Sequence, residues 1–471
     1  MTGQRSVLID GYNLGLETGT GIATYARNLS YVTHDMGYRT DILYGMRPTP
    51  GLHPLLHEIA FFDPAVGKLP WWMGMTRFAR VHFSPFEATA QQVPITGKVI
   101  HTHYRSRLPY FDTIYNSPDL FIRAEAYKSS ASRFLAPRMR VRLPAKHEIA
   151  HWTYPLPLYV PGTKNVYTMC DLIPLRLPYT TLDNKRHYLE TVRNLARRAD
   201  HIVTISENSR RDIINLLGVP EEKITNTYLS AVIPAKYADK PENVVKREVE
   251  GTFNVKYKEY MLFYGAIEPK KNIGRLIEGF LAADTDTPLL IVGKLAWKYD
   301  QELRLLNDDA QSYLERVGSV FYRRRRIFRV DYAPFPLLVS LIKGAKAVLF
   351  PSVYEGFGLP ILEGMMLGTP VLTSNESANP EIAEDAAVLV DPYNPREIAE
   401  AITSLDSNPE LRATLAAKGR KQAQKFSPEA HARRLSQVYD TVLAKRPIAP
   451  SEIPHSKPVA LGRREVAQTS S

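Results

Sequence analysis

Apolar positions along the chain fall into two successive sets of strand-like runs and helical periods. Val7-Leu8-Ile9 is a short continuous apolar run, the mark of a buried strand, and a glycine-rich loop from Gly15 to Gly21 follows it. Ile22, Tyr25, Ala26, Leu29, Val32 and Met36 then recur at spacings of three and four, which predicts a helix with one buried face. Asp41 to Tyr44 predicts the next strand, and 165–169 and 201–205 predict later strands of the same sheet. Ser206 is placed to cap a helix over 208–217. The second set is cleaner: strands at 260–264, 289–292, 347–350 and 371–372, with helices at 272–282 and 360–367. Strands alternating with helices predict parallel sheets covered on both faces.

Three stretches break the pattern. Between about 46 and 150, Pro, aromatic and basic residues interrupt any period. Residues 235–258 are polar and charged, and read as the linker between halves. Residues 446–471 carry four prolines and no apolar face, and read as a disordered tail. The expected domains are therefore 1–240 and 250–425.

Composition adds limits. A chain of 471 residues with 44% hydrophobic and 23% charged residues is ordinary globular material, long enough for two or three cores. The single cysteine, Cys170, excludes an intrachain disulfide and any site needing two thiolates. The start of the chain reads straight into an apolar strand, with no signal peptide, and no run reaches the length of a membrane span. A cytoplasmic protein, free or peripherally attached, is the expectation. The net charge of +11 is local: 123–146 carries +6 and 321–329 carries +5, so the remainder is balanced. Concentrated charge points to an anionic partner at particular places, and no nucleic-acid module accompanies it. Trp71 and Trp72, with Arg77, Arg80 and the 123–146 patch, have the chemistry of an interfacial contact with anionic lipid. The Arg323 to Arg326 run has no assignment.

The most informative segment is Pro351-Ser352-Val353-Tyr354-Glu355-Gly356-Phe357-Gly358-Leu359-Pro360-Ile361-Leu362-Glu363. It follows an apolar strand, and ligands of open α/β sheets bind beyond the carboxyl ends of strands. Gly356 and Gly358 let the backbone approach a bound group, and Pro360 suits the first turn of a helix whose free N–H groups would meet an anion such as a diphosphate. Glu355 and Glu363 do not suit a phosphate. They suit the hydroxyl groups of a sugar.

This Glu-x7-Glu after a Pro-Ser strand end resembles the signature of the family 4 retaining glycosyltransferases with the GT-B fold. The resemblance continues through Gly368-Thr369-Pro370-Val371, 379–383, 387–392 and Phe426-Ser427-Pro428-Glu429, and covers 260–444 well. It implies two Rossmann-like domains of parallel sheet facing a central cleft, with the 428–444 helix crossing back to the acceptor-binding N-terminal domain. It also implies a nucleotide-sugar as substrate, no cofactor and no divalent metal; Asp284-Thr285-Asp286 precedes a strand and reads as a solvated turn.

Site residues follow from the same resemblance. Lys271 in Glu268-Pro269-Lys270-Lys271-Asn272 matches the phosphate-binding lysine, with Lys270 beside it and Gly265 ending the preceding strand. Gly356, Phe357, Gly358, Leu359 and Gly21 would approach the diphosphate, Glu363 the ribose, and Glu355 the donor sugar. His151 matches the family's post-strand histidine and would contact the donor sugar, with His101 and His103 as rivals. Asp171 would bind acceptor hydroxyls, while Cys170 stands where related enzymes show histidine. Ala266 stands where some members carry arginine. The Asp171-Leu172-Ile173-Pro174-Leu175 segment looks most like mannosyltransferases of bacterial surface polysaccharides, including lipopolysaccharide. The expected reaction is front-face transfer of mannose from GDP-mannose to a saccharide, lipid-linked acceptor; UDP-glucose and deoxysugar donors stay open. The alternatives are a nucleotide-sugar epimerase or hydrolase of the same fold, and a non-catalytic subunit of a polysaccharide assembly complex.

Overall fold

The computed structural model describes residues 4–14, 21–46, 58, 87–96, 98, 108–129, 138–182, 184–296, 299–307, 312–317 and 320–444. Outside them lie most of the glycine-rich loop, the tryptophan pair, His101, His103 and the 446–471 tail. The side chains of 321–325 are also outside the description.

Two Rossmann-like sheets carry the fold. The first has eight strands in the spatial order Ile224–Asn226, His201–Thr204, Lys164–Thr168, Ile149–Trp152, Ser6–Asp10, Arg39–Tyr44, Thr113–Asn116 and Gln91–Gln92. All neighbours pair parallel except the last. The second has six parallel strands: Ile327–Val330, Leu289–Val292, Met261–Tyr264, Ala347–Phe350, Val371–Ser374 and Val388–Val390. In each sheet the strand that opens the half is internal, and the chain winds away from it in both directions. Each half therefore has a switch point, between Ser6–Asp10 and Ile149–Trp152 in the first and between Met261–Tyr264 and Ala347–Phe350 in the second. Crevices form there because successive connections leave to opposite faces.

The strands are buried apolar runs, as parallel pairing under two helical layers demands. Ser206 caps helix Glu207–Leu217 by accepting the Ser209 N–H, and Gly218 ends it in the left-handed region. The stretch read as a linker differs from expectation. It holds helices Ala235–Ala238 and Glu242–Phe253, the second burying Val245 and Val249. Two valines four apart suffice to dock a short helix, but leave too little period to see in a charged sequence. Gly344 shows the closeness of that packing: a Cβ there would stand 3.1 Å from Val249 Cγ2.

The last helix, Pro428–Ala444, returns to the first sheet. Arg5 pairs with Asp440 at 2.5 Å, the His431 ring meets the Thr227 carbonyl at 3.1 Å, and Tyr439 hydroxyl lies 2.6 Å from His151 Nδ1. Burial and the nearby His431 hold His151 down to about 3, and burial holds His431 down to about 4. Both sit below the ordinary 6.5, so each contributes stability that is present above that value and is lost as pH falls through 4 to 3. Urea midpoints are expected to decline as the pH is lowered from 6.5 to 4, with a shallower decline in His431→Gln.

Candidate active site

The second switch point gathers the constellation expected from sequence. Strand Met261–Tyr264 runs into Gly265, which adopts φ +144, then the single 3-10 turn Pro269–Lys271. Asn272, left-handed at φ 61, ends that turn, and its amide donates to the carbonyls of Pro351 (3.0 Å) and Pro392 (2.7 Å). The Lys270 carbonyl accepts the Val353 N–H at 2.9 Å. The lysine turn and the glycine loop are thus tied together backbone to backbone. Ala266 is exposed.

Lys271 Nζ lies 2.6 Å from Glu355 Oε1, with the two side chains 13% and 9% exposed. Burial pushes the Glu355 carboxyl up, but Lys271 and Lys270 override it and hold the group below its usual range. Lys270 reaches Glu268 at 3.4 Å; burial works against its charge, and Glu355, Glu268 and Asp171 keep it firmly protonated. Two lysines therefore share three carboxylates in a half-dry cleft.

Gly358 takes φ +97, where a side chain would be strained, and helix Leu359–Met366 starts immediately after it. Leu359 meets the start of helix Gly21–Asp35: a Cβ on Gly21 would lie 3.4 Å from Leu359 Cδ1. Phe357 turns inward, 3% exposed and edge-on to Phe426. Glu363, half-buried on the helix, accepts the Tyr264 hydroxyl at 2.8 Å. Burial raises its carboxyl to about 7, partly offset by that hydrogen bond.

A carboxyl raised from 4.5 to about 7 favours the fold below pH 4.5 and loses that contribution as pH rises to 7. Stability of the unliganded protein is expected to fall across that window, and Glu363→Gln to flatten the fall. Urea unfolding at several pH values measures it.

The first half reaches the same cleft through Asp171. A Cβ on Gly356 would stand 2.8 Å from Asp171 Oδ2, so the acidic side chain lies against the glycine loop. Burial raises the Asp171 carboxyl, with Lys270 opposing, and its Oδ1 accepts the Ile173 N–H at 3.0 Å. Cys170 is half-buried, and burial pushes its thiol up.

His151 is not brought to this cleft. It is 1% exposed, with Nδ1 on Tyr439 and Nε2 on Thr168 at 2.7 Å, so both ring nitrogens are spent inside the first half. The apolar run before it made a cleft position and a core position look alike. Of the basic stretch, Arg140 and Arg142 both reach Glu87, at 3.6 and 2.6 Å, and Arg123 donates to the Glu87 carbonyl. Asp284 and Asp286 are exposed in their turn, and Thr285 between them bonds Asp406.

Sequence reasoning missed a clasp beside the glycine loop. Glu381 accepts the Glu207 and Asn208 N–H groups, at 2.7 and 3.1 Å, placing a carboxylate at the start of helix Glu207–Leu217. Tyr354 accepts from Asn208 at 2.9 Å and donates to Asp212. A Ser N-cap before Glu-Asn was legible as a helix start, but its partner stands 174 residues away.

The model of the family described as glycosyl transferases group 1 matches residues 246–422. O-antigen chain mannosyltransferase B of Escherichia coli is 30% identical over 320 residues, spanning 66% of this chain and 79% of that relative. The chain belongs to the group 1 glycosyltransferases. A serotype-specific mannosyltransferase of Escherichia coli is 26% identical over 56% of this chain, a match that spans 32% of the relative. The sucrose-phosphate synthase structure from Thermosynechococcus elongatus superposes with a TM-score of 0.62, covering 94% of this chain and 100% of that one at 15% identity. The fold of this glycosyltransferase is GT-B. Among the described residues, no helix is long and apolar enough to cross a membrane.

Proposed function

We propose that this glycosyltransferase moves mannose from GDP-mannose to a saccharide acceptor, with retention at the anomeric carbon, in the synthesis of a surface polysaccharide. The observation carrying the reading is the Lys271–Glu355 pair set between the Gly356–Gly358 loop and the Leu359–Met366 helix start, with Glu363 and Tyr264 one helix turn away. Lys271, Lys270 and the helix N–H groups would hold the diphosphate, Glu363 the ribose, and Glu355 the hexose hydroxyls. The bond from the anomeric carbon to the departing phosphate oxygen breaks as the acceptor oxygen bonds to that carbon on the same face. The acceptor proton passes to the departing phosphate, and the lysines stabilise the charge that develops there.

The mannose assignment is supported by the names of the two curated relatives and by the Asp171–Leu175 segment. A lipid-linked acceptor would place the enzyme at the inner face of the cytoplasmic membrane. A thermal-shift screen with GDP- and UDP-sugars tests the donor: GDP-mannose at a hundred times its Kd is expected to stabilise the protein by about 2.7 kcal/mol. Stabilisation by no nucleotide-sugar would sink the reading, and stabilisation by UDP-sugars alone would move the donor.

A further inference from the structure

Tyr354 stands immediately before Glu355, yet its buried side chain is committed to the other half of the molecule. Its hydroxyl accepts from Asn208 Nδ2 at 2.9 Å and donates to the Asp212 carboxylate, both on helix Glu207–Leu217. Asp212 is buried as well, and Arg176 reaches its carboxylate at 3.5 Å. Burial and Asp212 both push the Tyr354 phenol up, so the ring keeps the proton it donates. A phenol set between an amide donor and a carboxylate acceptor uses its oxygen in both senses. The bond to the carboxylate is of the charge-assisted kind, about twice as strong as a neutral one.

The residues around Tyr354 are held in the same way. The Glu355 N–H donates to Ser377 Oγ at 2.9 Å, and Ser377 is itself left-handed at φ 58. Glu381 takes the Glu207 and Asn208 N–H groups, so the helix that grips Tyr354 is itself fixed to the second half. Phe357 sits edge-on to Phe426, in the 3-10 turn Gln424–Phe426 from which the last helix returns to the first sheet. Glu355 and Gly356 are therefore bracketed by two aromatic side chains, each seated on a contact between the halves or on a crossover.

The circuit closes at Asp171. Arg176 ends the short helix Ile173–Arg176, whose first N–H is accepted by Asp171 Oδ1 at 3.0 Å. Asp171 in turn lies against Gly356, and both Glu355 and Asp212 act on its carboxyl. Tyr354, Asp212, Arg176, Asp171 and Gly356 thus form one ring of contacts that crosses between the halves twice. Two crossings fix the loop in direction as well as in distance.

Resting on the proposed transfer, we infer that Tyr354 is a positioning residue for it. Through its hold on Asn208 and Asp212 it sets Glu355, from the second half, in register with Asp171, from the first. The geometry of transfer is then decided at the joint between the halves as well as in the donor pocket. A misplacement on the order of 1 Å can lower a rate about 10²-fold. Loss of one hydroxyl, with the Asp171 side of the ring intact, is expected to cost about tenfold.

The test compares Tyr354→Phe with Tyr260→Phe, each of which removes one buried phenol oxygen and keeps the ring. Tyr260 bonds the Leu341 carbonyl at 2.5 Å inside the second half. Both variants are expected to lower the urea midpoint. Only Tyr354→Phe is expected to lower kcat, about tenfold, with the donor KM within twofold. Asp212→Ala should reproduce that loss, and Asp212→Asn should recover most of it, because an amide oxygen still accepts. The double variant Tyr354→Phe/Asp212→Ala should lose no more than either alone. Amide hydrogen exchange of the unliganded protein reads the joint without turnover. Tyr354→Phe is expected to speed exchange of the Glu355 N–H about tenfold and to leave strand Ala347–Phe350 unchanged. Unaltered exchange at Glu355 overturns the inference whatever the rates give. So does a kcat within threefold of wild type, a donor KM that rises as kcat falls, or an equal loss of kcat in Tyr260→Phe. Faster exchange at Glu355 in the variant, with a wild-type protein that transfers from no nucleotide-sugar, sinks the proposed function instead.

Discussion

Lys271→Ala is expected to lower kcat about 10²- to 10³-fold, the range seen when one preorganised donor to a developing anion is removed. It is also expected to destabilise the protein, because the pair it breaks is buried. At 2.6 Å and with side-chain exposures of 13% and 9%, Lys271 and Glu355 lie outside the regime in which an ion pair is screened to insignificance. Removing one partner of a buried pair costs about 3–5 kcal/mol, mainly through the charge left behind. Lys270 also acts on Glu355, so the lower end of that range is the expectation. The double variant Lys271→Ala/Glu355→Gln should recover much of the stability and none of the rate. Initial rates and urea unfolding read the two effects separately. A Lys271→Ala protein that keeps its rate within threefold would mean that the diphosphate is held elsewhere.

Gly356→Val is expected to cost about 10²-fold in kcat through a displacement on the order of 1 Å, with little change in stability. The first atom of any side chain at 356 would stand 2.8 Å from Asp171 Oδ2, 3.1 Å from Asp171 Cβ and 3.2 Å from the Cys170 carbonyl oxygen. The last two cannot swing aside as a flexible tip would, so the glycine loop and the strand end carrying Asp171 must separate. Neither sheet's core is touched, which is why unfolding should hardly notice. Gly251→Ala is the control: nothing lies within 4 Å of a Cβ there, the site is helical, and a gain of about 0.5–1 kcal/mol with unchanged rate is expected. A Gly356→Val enzyme of ordinary rate would show that the observed approach of the two halves is irrelevant to transfer.

Much of the second half was legible because its determinants are local. A buried strand, a glycine turn and a proline-started helix occupy consecutive residues in 347–366, and the two carboxylates sit within the same segment. The lysine turn at 269–271 is equally self-contained. The first half was legible only where strands and helices kept their periods. The helix at 242–253 escaped because two valines against one neighbour leave no visible stripe.

The misplaced and missed residues share one cause. His151 is fixed by a tyrosine 288 positions later, and the clasp by Glu381 174 positions on from Glu207. A histidine after an apolar strand looks the same in sequence whether its ring meets a substrate or a tyrosine of the closing helix.

The sequence by itself determined the two parallel sheets, the glycine loop, the lysine turn and the two carboxylates beside them, because hydrophobic period, turn chemistry and helix starts act between near neighbours. Tertiary structure alone decided that Asp171 lies against Gly356, that His151 belongs to the core, and that Asp10 ties the Tyr12 and Thr153 backbones together. Those facts depend on which strand ends lie side by side and how the two halves approach. Both are set by packing between segments a hundred or more residues apart.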